Sequence, residues 1–210
     1  MPNRRAEDRT TTVFRPALIE TEAYSGFCLV RNLSSTGMMA RVYGQLPEGE
    51  RIGVQFCPEV TAYGSLIWCT ANDVGVTFDD VIDVQSVLAN FAKAKHEDQL
   101  ARAPRLPIKV DGHVLIGDRP FTVSLKDISQ KGVKVTGFLL KPEEEVLLCL
   151  DGLEPKKCVV RWAQLGANGL RFVQPLRFDQ LGHWVISQQL KQLGQEAGGS
   201  RNRLEGQCIS

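Results

Sequence analysis

Between residues 11 and 78 the apolar positions come in short runs: 11–19, 26–33, 37–42, 51–56, 61–69 and 75–78. The runs are rich in β-branched and aromatic residues and are divided by Gly, Pro and Asn. Side chains of this kind suit a pleated, half-buried surface, and the dividing residues favour turns, so the pattern predicts strands. Several short antiparallel strands in succession predict a small barrel, since closure hides the sheet edges. The period then changes. From 80 to 100, Val81, Val84, Val87, Leu88 and Phe91 fall at helical spacing, with Asp79 and Asp80 where a helix dipole favours negative charge.

The whole pattern occurs twice. GSLIWCTANDVGVTF (64–78) matches CVVRWAQLGANGLRF (158–172), with Trp68 and Trp162 separated by 94 positions, as are Gly75 and Gly169, and Phe78 and Phe172. Upstream, NLSSTGMMA (32–40) matches DISQKGVKV (127–135) at a separation of 95, and Arg9 aligns with Arg105 at 96. Matched blocks in one order with so little drift indicate a duplicated domain. The second copy also ends in a helical pattern, 178–193, with Leu181, Val185, Ile186 and Leu190 on one face. The expected organisation is a first domain over 1–100, a second over 101–195, and a polar, Gly-rich disordered tail over 196–210. The first helix, leading into the second domain, is expected to set the relative orientation of the barrels. Trp68, Trp162, Phe78 and Phe172 are expected to pack in the cores, as strand aromatics usually do.

A net charge of +1 argues against coating DNA or RNA by bulk electrostatics, so any anion site must be local. The six cysteines form no C-x-x-C pair and the three histidines no H-x-x-x-H, so neither metal nor disulfide framework is signalled. Without an apolar run long enough to span a membrane or follow a signal sequence, a cytoplasmic protein is expected, with its cysteines serving as buried small hydrophobes. No nucleophile–base set, carboxylate pair, Walker loop or dinucleotide fingerprint stands out, which points away from an enzyme and from a bound cofactor.

Two short motifs remain. RRAEDR (4–9) holds Arg5-x-x-x-Arg9, too charged for a core, and NLSSTG (32–37) holds Asn32-x-Ser34-x-x-Gly37. Each alone reads as solvated charge or as a turn. In order, with the Gly-x-apolar-x-Trp run and the closing Gly-Val-x-Phe run, they resemble the PilZ domain, and the resemblance extends over nearly the whole chain as two copies. It implies two six-stranded antiparallel barrels, each followed by an α-helix. It also implies a site for the bacterial second messenger cyclic di-GMP, association with motility, biofilm and exopolysaccharide control, and signalling to a protein partner that the sequence does not identify.

The ligand chemistry fits these residues. Guanine presents O6 and N7 as adjacent acceptors, which a planar Arg fork meets with parallel hydrogen bonds, so Arg5 and Arg9 suit its Hoogsteen edge and the phosphates. The opposite edge carries N1–H and N2–H donors, for which Asn32 offers a carbonyl. Ser34 can donate to a phosphate or hold the turn, and Gly37 lets backbone pass near the ligand. Arg4 is an additional phosphate contact or a substitute for Arg5. Arg31 and Arg41 flank the turn and are expected to face solvent. In the second copy Asp127, Ser129 and Gly132 retain the turn, but with Arg105 set against Arg9 the place of Arg5 falls to Ala101, so weak or vestigial binding is expected there. The competing reading is a ligand-independent adaptor of two barrels. Apolar residues left over on a helix face could form a homodimer interface.

Overall fold

The computed structural model describes residues 11–22, 25–46, 48–96 and 103–205, so Arg4, Arg5 and Arg9 lie outside the described residues. The first six strands are β1 (Thr11–Glu20), β2 (Ser25–Leu33), β3 (Gly37–Arg41), β4 (Arg51–Cys57), β5 (Val60–Cys69) and β6 (Asp73–Phe78), followed by α1 (Val84–His96). The next six are β7 (Leu106–Ile116), β8 (Arg119–Ser129), β9 (Gly132–Thr136), β10 (Glu145–Leu150), β11 (Lys156–Gln164) and β12 (Ala167–Phe172), followed by α2 (Phe178–Glu205). Each set closes into an antiparallel barrel of the same connectivity, β1-β2-β3-β6-β5-β4 and β7-β8-β9-β12-β11-β10. The protein is mainly β, with two six-stranded barrels each followed by a helix.

Alternation fills each barrel. Val30, Leu33, Met38, Ala40, Val54, Leu66, Val74 and Val76 point into the first core, and Leu125, Ile128, Val133, Val135, Leu148, Val160 and Leu170 into the second. The repeat also holds at its irregularities. β-Bulges break the register between Thr12 and Arg15, Val30 and Asn32, and Leu66 and Trp68, and again between Pro107 and Val110, Leu125 and Asp127, and Val160 and Trp162. Bulges bend a strand and redirect its side chains, so these matched sites share their relief, whereas the shift between Gln55 and Cys57 belongs to the first barrel.

Four expectations are corrected. The first helix begins at Val84, not near 80: the Asp83 carboxylate accepts from the backbone N–H of Gln85 and Ser86 at 3.0 and 3.2 Å, an N-cap that fixes the start. Val81 is left exposed, and Asp79 pairs with Arg51 at 2.7 Å. Second, α2 continues past 193, where the helical pattern is expected to stop, to Glu205. Third, Trp68 and Trp162 lie on the outside, only partly covered, while Phe78 and Phe172 are buried as expected.

Fourth, among the described residues it is α2, not α1, that joins the barrels. α1 packs on its own barrel, with Phe91 edge-on to Phe56 and Arg15 over the Phe91 ring. α2 is clasped to the second barrel by Trp184 Nε1 and Gln188 Nε2, which both donate to the Asp151 carbonyl at 2.8 Å, and it also faces the first. There Phe27 of β2, buried within the second core, meets Phe178 edge-on, Tyr43 meets Phe178 and His183, and Gln189 Nε2 donates to the Ser25 carbonyl at 2.6 Å. Among the described residues, no helix is long and apolar enough to cross a membrane.

Candidate functional site

The Asn32–Gly37 segment is the β2–β3 hairpin turn. Ser34 closes it, its backbone N–H donating to the Gly37 carbonyl at 2.9 Å and its Oγ to the same oxygen at 3.2 Å. The turn is pinned from outside as well, since the Thr36 carbonyl accepts from Phe78 N and the Ser35 carbonyl from Ile82 N. Gly37 has no positive φ. Its requirement is steric: a Cβ there would overlap the Val76 carbonyl of β6. Ser129 and Gly132 repeat the arrangement, with Ser129 Oγ donating to the Gly132 carbonyl at 3.1 Å and a Cβ on Gly132 overlapping the Leu170 carbonyl. Ser34 and Gly37 thus build the hairpin in this structure.

Asn32 is presented differently. Val30 and Leu33 are both buried in the core, so the bulge between them leaves two successive residues, Arg31 and Asn32, on the outer face. The strand register then lines Asn32 up with a row of outward positions. Thr12 of β1 is the Cα partner of Asn32, Asn32 of Met39, Met39 of Gly75, and Gly75 of Trp68. Thr12 Oγ1 donates to Asn32 Oδ1 at 3.3 Å, and a carbonyl oxygen retains capacity for a second donor. At the far end the Trp68 indole covers Gly75 so closely that any side chain there would collide with it. The result is a shallow shelf with an amide at one end, a thioether in the middle and a partly exposed indole at the other.

Trp68, like Trp162, is expected from the sequence in the core and lies outside it. The signal was present: Gly75 recurs with Trp68 exactly as Gly169 recurs with Trp162, and a glycine in a strand marks a close approach. Pairing that glycine with a flattened indole requires the register between β5 and β6.

The second barrel carries the same row: Pro107, Asp127, Lys134, Gly169 and Trp162. Its polar end is occupied, with Arg105 Nη1 donating to Asp127 Oδ1 at 2.5 Å. The register also shifts an alignment. Leu106 and Pro107 stand opposite Ile128 and Asp127 as Thr11 and Thr12 stand opposite Leu33 and Asn32, so Arg105 falls at the position of Thr10 and Pro104 at that of Arg9. A proline offers no guanidinium and no N–H donor.

Around Asn32 the charges are arginines on a shared acid. Arg31 and Arg41 face outward and both donate to Asp73. Burial pushes the Cys28 and Cys158 thiols up to about 12, keeping them neutral core groups. Among the described residues no cluster of His, Cys, Asp and Glu could hold a metal ion.

The model of the PilZ domain matches residues 3–93, a span that includes Arg4, Arg5, Arg9 and the whole Asn32–Gly37 turn. Over its first barrel the chain is similar to the PilZ domain. The match ends before the second barrel, whose likeness to the first rests on the connectivity, register and bulges described above. No curated protein matches the chain by sequence. Solved structures similar to it include the Borreliella burgdorferi PlzA protein in complex with c-di-GMP (11% identity, 85% of this chain and 93% of that one, TM-score 0.39). Others are YcgR in complex with c-di-GMP from Escherichia coli (11%, 91% and 88%, 0.35) and the Bacillus subtilis inhibitor of motility MotI (12%, 86% and 99%, 0.34). At such identities and TM-scores these likenesses carry no argument about this chain.

Proposed function

We propose that the protein is a non-enzymatic receptor for cyclic di-GMP that binds the dinucleotide on the outer face of its first barrel. The observation that carries this reading is the family match over residues 3–93, which spans the arginine arm and the hairpin turn together. Asn32 is turned outward by a bulge and has a free acceptor lone pair for guanine N1–H and N2–H. Trp68, on the same shelf, offers an aromatic face on which a base stacks, an interaction worth about 1–3 kcal/mol.

Arg5 and Arg9 supply the fork for the opposite guanine edge and the phosphates, with Arg4 beside them. Covalent reach makes this possible. Arg9 precedes Thr12 by three residues, so its Cα cannot lie farther than about 11 Å from that of Thr12, the partner of Asn32; for Arg5 the limit is about 25 Å. Ser34 and Gly37 shape the turn that holds Asn32. Binding would order the arm and change the surface, or the angle between barrels, offered to a protein partner.

The second barrel is read as vestigial. Arg105 places guanidinium N–H donors on Asp127, where a guanine edge would place its own, and the position of Arg9 is a proline. The adaptor reading keeps the same barrels but no ligand. Calorimetric titration of the chain with cyclic di-GMP separates the two: saturable heat at micromolar ligand, abolished by Arg5→Ala or Arg9→Ala, is the expected outcome, and none at that concentration leaves the adaptor. Release of linear product in the presence of a divalent metal would instead make the protein a hydrolase.

A further inference from the structure

The bulge that turns Asn32 outward also turns Arg31 outward beside it. Arg31 extends across β3 to Asp73 at the start of β6, its Nη1 donating to the two carboxylate oxygens at 3.3 and 3.5 Å, while its guanidinium carbon stands 5.8 Å from the centre of the Phe14 ring. Phe14 is itself held outward by the β1 bulge, at φ 53°. Arg41, the Cα partner of Asp73, donates from Nε to the same carboxylate at 3.4 Å.

Two guanidiniums therefore share one carboxylate, and the group keeps one net positive charge. The contacts are long against the roughly 2.7–2.9 Å of a well-made charge-assisted pair. Neither arginine presents its fork to Asp73, since Arg31 uses Nη1 alone and Arg41 uses Nε alone. Arg41 retains 46% of its side-chain exposure. The terminal nitrogens of Arg41 thus remain as donors on the side of the barrel that carries Asn32.

We infer that Arg31 and Arg41 form an anion subsite that takes a phosphodiester group of the nucleotide whose guanine Asn32 receives, with Asp73 holding the two arginines side by side. The inference rests on the receptor reading above. A phosphodiester has two anionic oxygens and can accept from both arginines at once, whereas a neutral guanine edge competes poorly for guanidiniums already on a carboxylate. The position suits this role: Arg41 lies two residues along β3 from Met39, a step of about 6.8 Å, so the subsite adjoins the Asn32–Trp68 row at roughly the span of one nucleoside.

The second barrel lacks the device. By register, Lys126 stands for Arg31, Thr136 for Arg41 and Ala167 for Asp73, with Lys109 in the place of Phe14. Among the described residues, the barrel in which no guanidinium meets the hairpin amide, that of Asn32, is also the one with paired arginines next to it.

The test is titration of cyclic di-GMP into the full chain and into Arg31→Gln, Arg41→Gln and Arg31→Lys, at two salt concentrations, with a thermal melt of each. Each Gln variant is expected to weaken binding about tenfold and to show a smaller salt dependence than the unaltered chain. Arg31→Lys is expected to keep most of the affinity, because a point charge satisfies a phosphate. Unaltered affinity in both Gln variants overturns the subsite and leaves the Asn32 reading standing. Equal losses in Arg31→Lys and Arg31→Gln overturn the phosphate assignment, since they mark a fork reading a base edge. No saturable binding by the unaltered chain removes the receptor reading and the subsite with it. Should Arg31→Gln fail to fold, Arg41→Gln, at a half-exposed side chain, carries the test.

Discussion

Gly37 and Gly132 occupy the same hairpin in two barrels, and at both a carbonyl of the next strand stands where a Cβ would be. Gly37→Ala is therefore expected to destabilise the first barrel by about 1–3 kcal/mol, read as a lower urea midpoint. Loss of binding in that variant would report a distorted barrel rather than a lost ligand contact. Asn32→Ala is the cleaner probe of the site: its side chain faces outward, so stability should hold while affinity falls about tenfold, the cost of one hydrogen-bonded partner for the base. The thiols give a pH test. Burial raises Cys28 and Cys158 from the ordinary 9.0 to about 12, so their contribution to stability is complete below pH 9 and is lost as the pH rises from 9 toward 12. At pH 8 iodoacetamide should leave both unlabelled until denaturant is added; labelling of the native protein would contradict their burial.

Elements show where the sequence could be read and where it could not. The strands and turns were legible because alternation and Gly, Pro and Asn punctuation are local signals, and the matched serines and glycines located both hairpins. The helix start is not legible because Asp79, Asp80 and Asp83 are equally good caps by residue type; a tertiary contact engages Asp79 with Arg51, and the carboxylate that caps α1 is that of Asp83. Asp83→Ala should cost about 1 kcal/mol and fray α1. The indoles were misplaced because burial of a strand aromatic depends on which side of a bulge it falls. The arrangement of the barrels was invisible for a further reason: it depends on Tyr43 lying against Gly182 of α2, where any Cβ would overlap the phenol ring. Gly182→Val should loosen the first barrel from α2, seen as a larger radius of gyration in solution scattering with both barrels still folded. An unchanged radius would mean that other contacts hold them.

At the scale of the whole molecule, the duplication produced two surfaces of one design with opposite states. In the first the row from Thr12 to Trp68 ends in an amide whose oxygen accepts, among the described residues, from Thr12; in the second the row from Pro107 to Trp162 ends in a carboxylate already paired to Arg105. The separation of 95 across the strand pairs, rather than the 96 suggested by matching Arg9 with Arg105, is what shows this, because register counts hydrogen-bonded partners and letter matching does not. The chain holds three tryptophans, one on each shelf and one in α2. Their indole N–H resonances, assigned through single Trp→Phe variants and followed during addition of cyclic di-GMP, test the central claim most directly. The account predicts that the Trp68 signal shifts and saturates while the Trp162 signal stays in place; a shift of Trp162 without Trp68, or no shift of either, would contradict it.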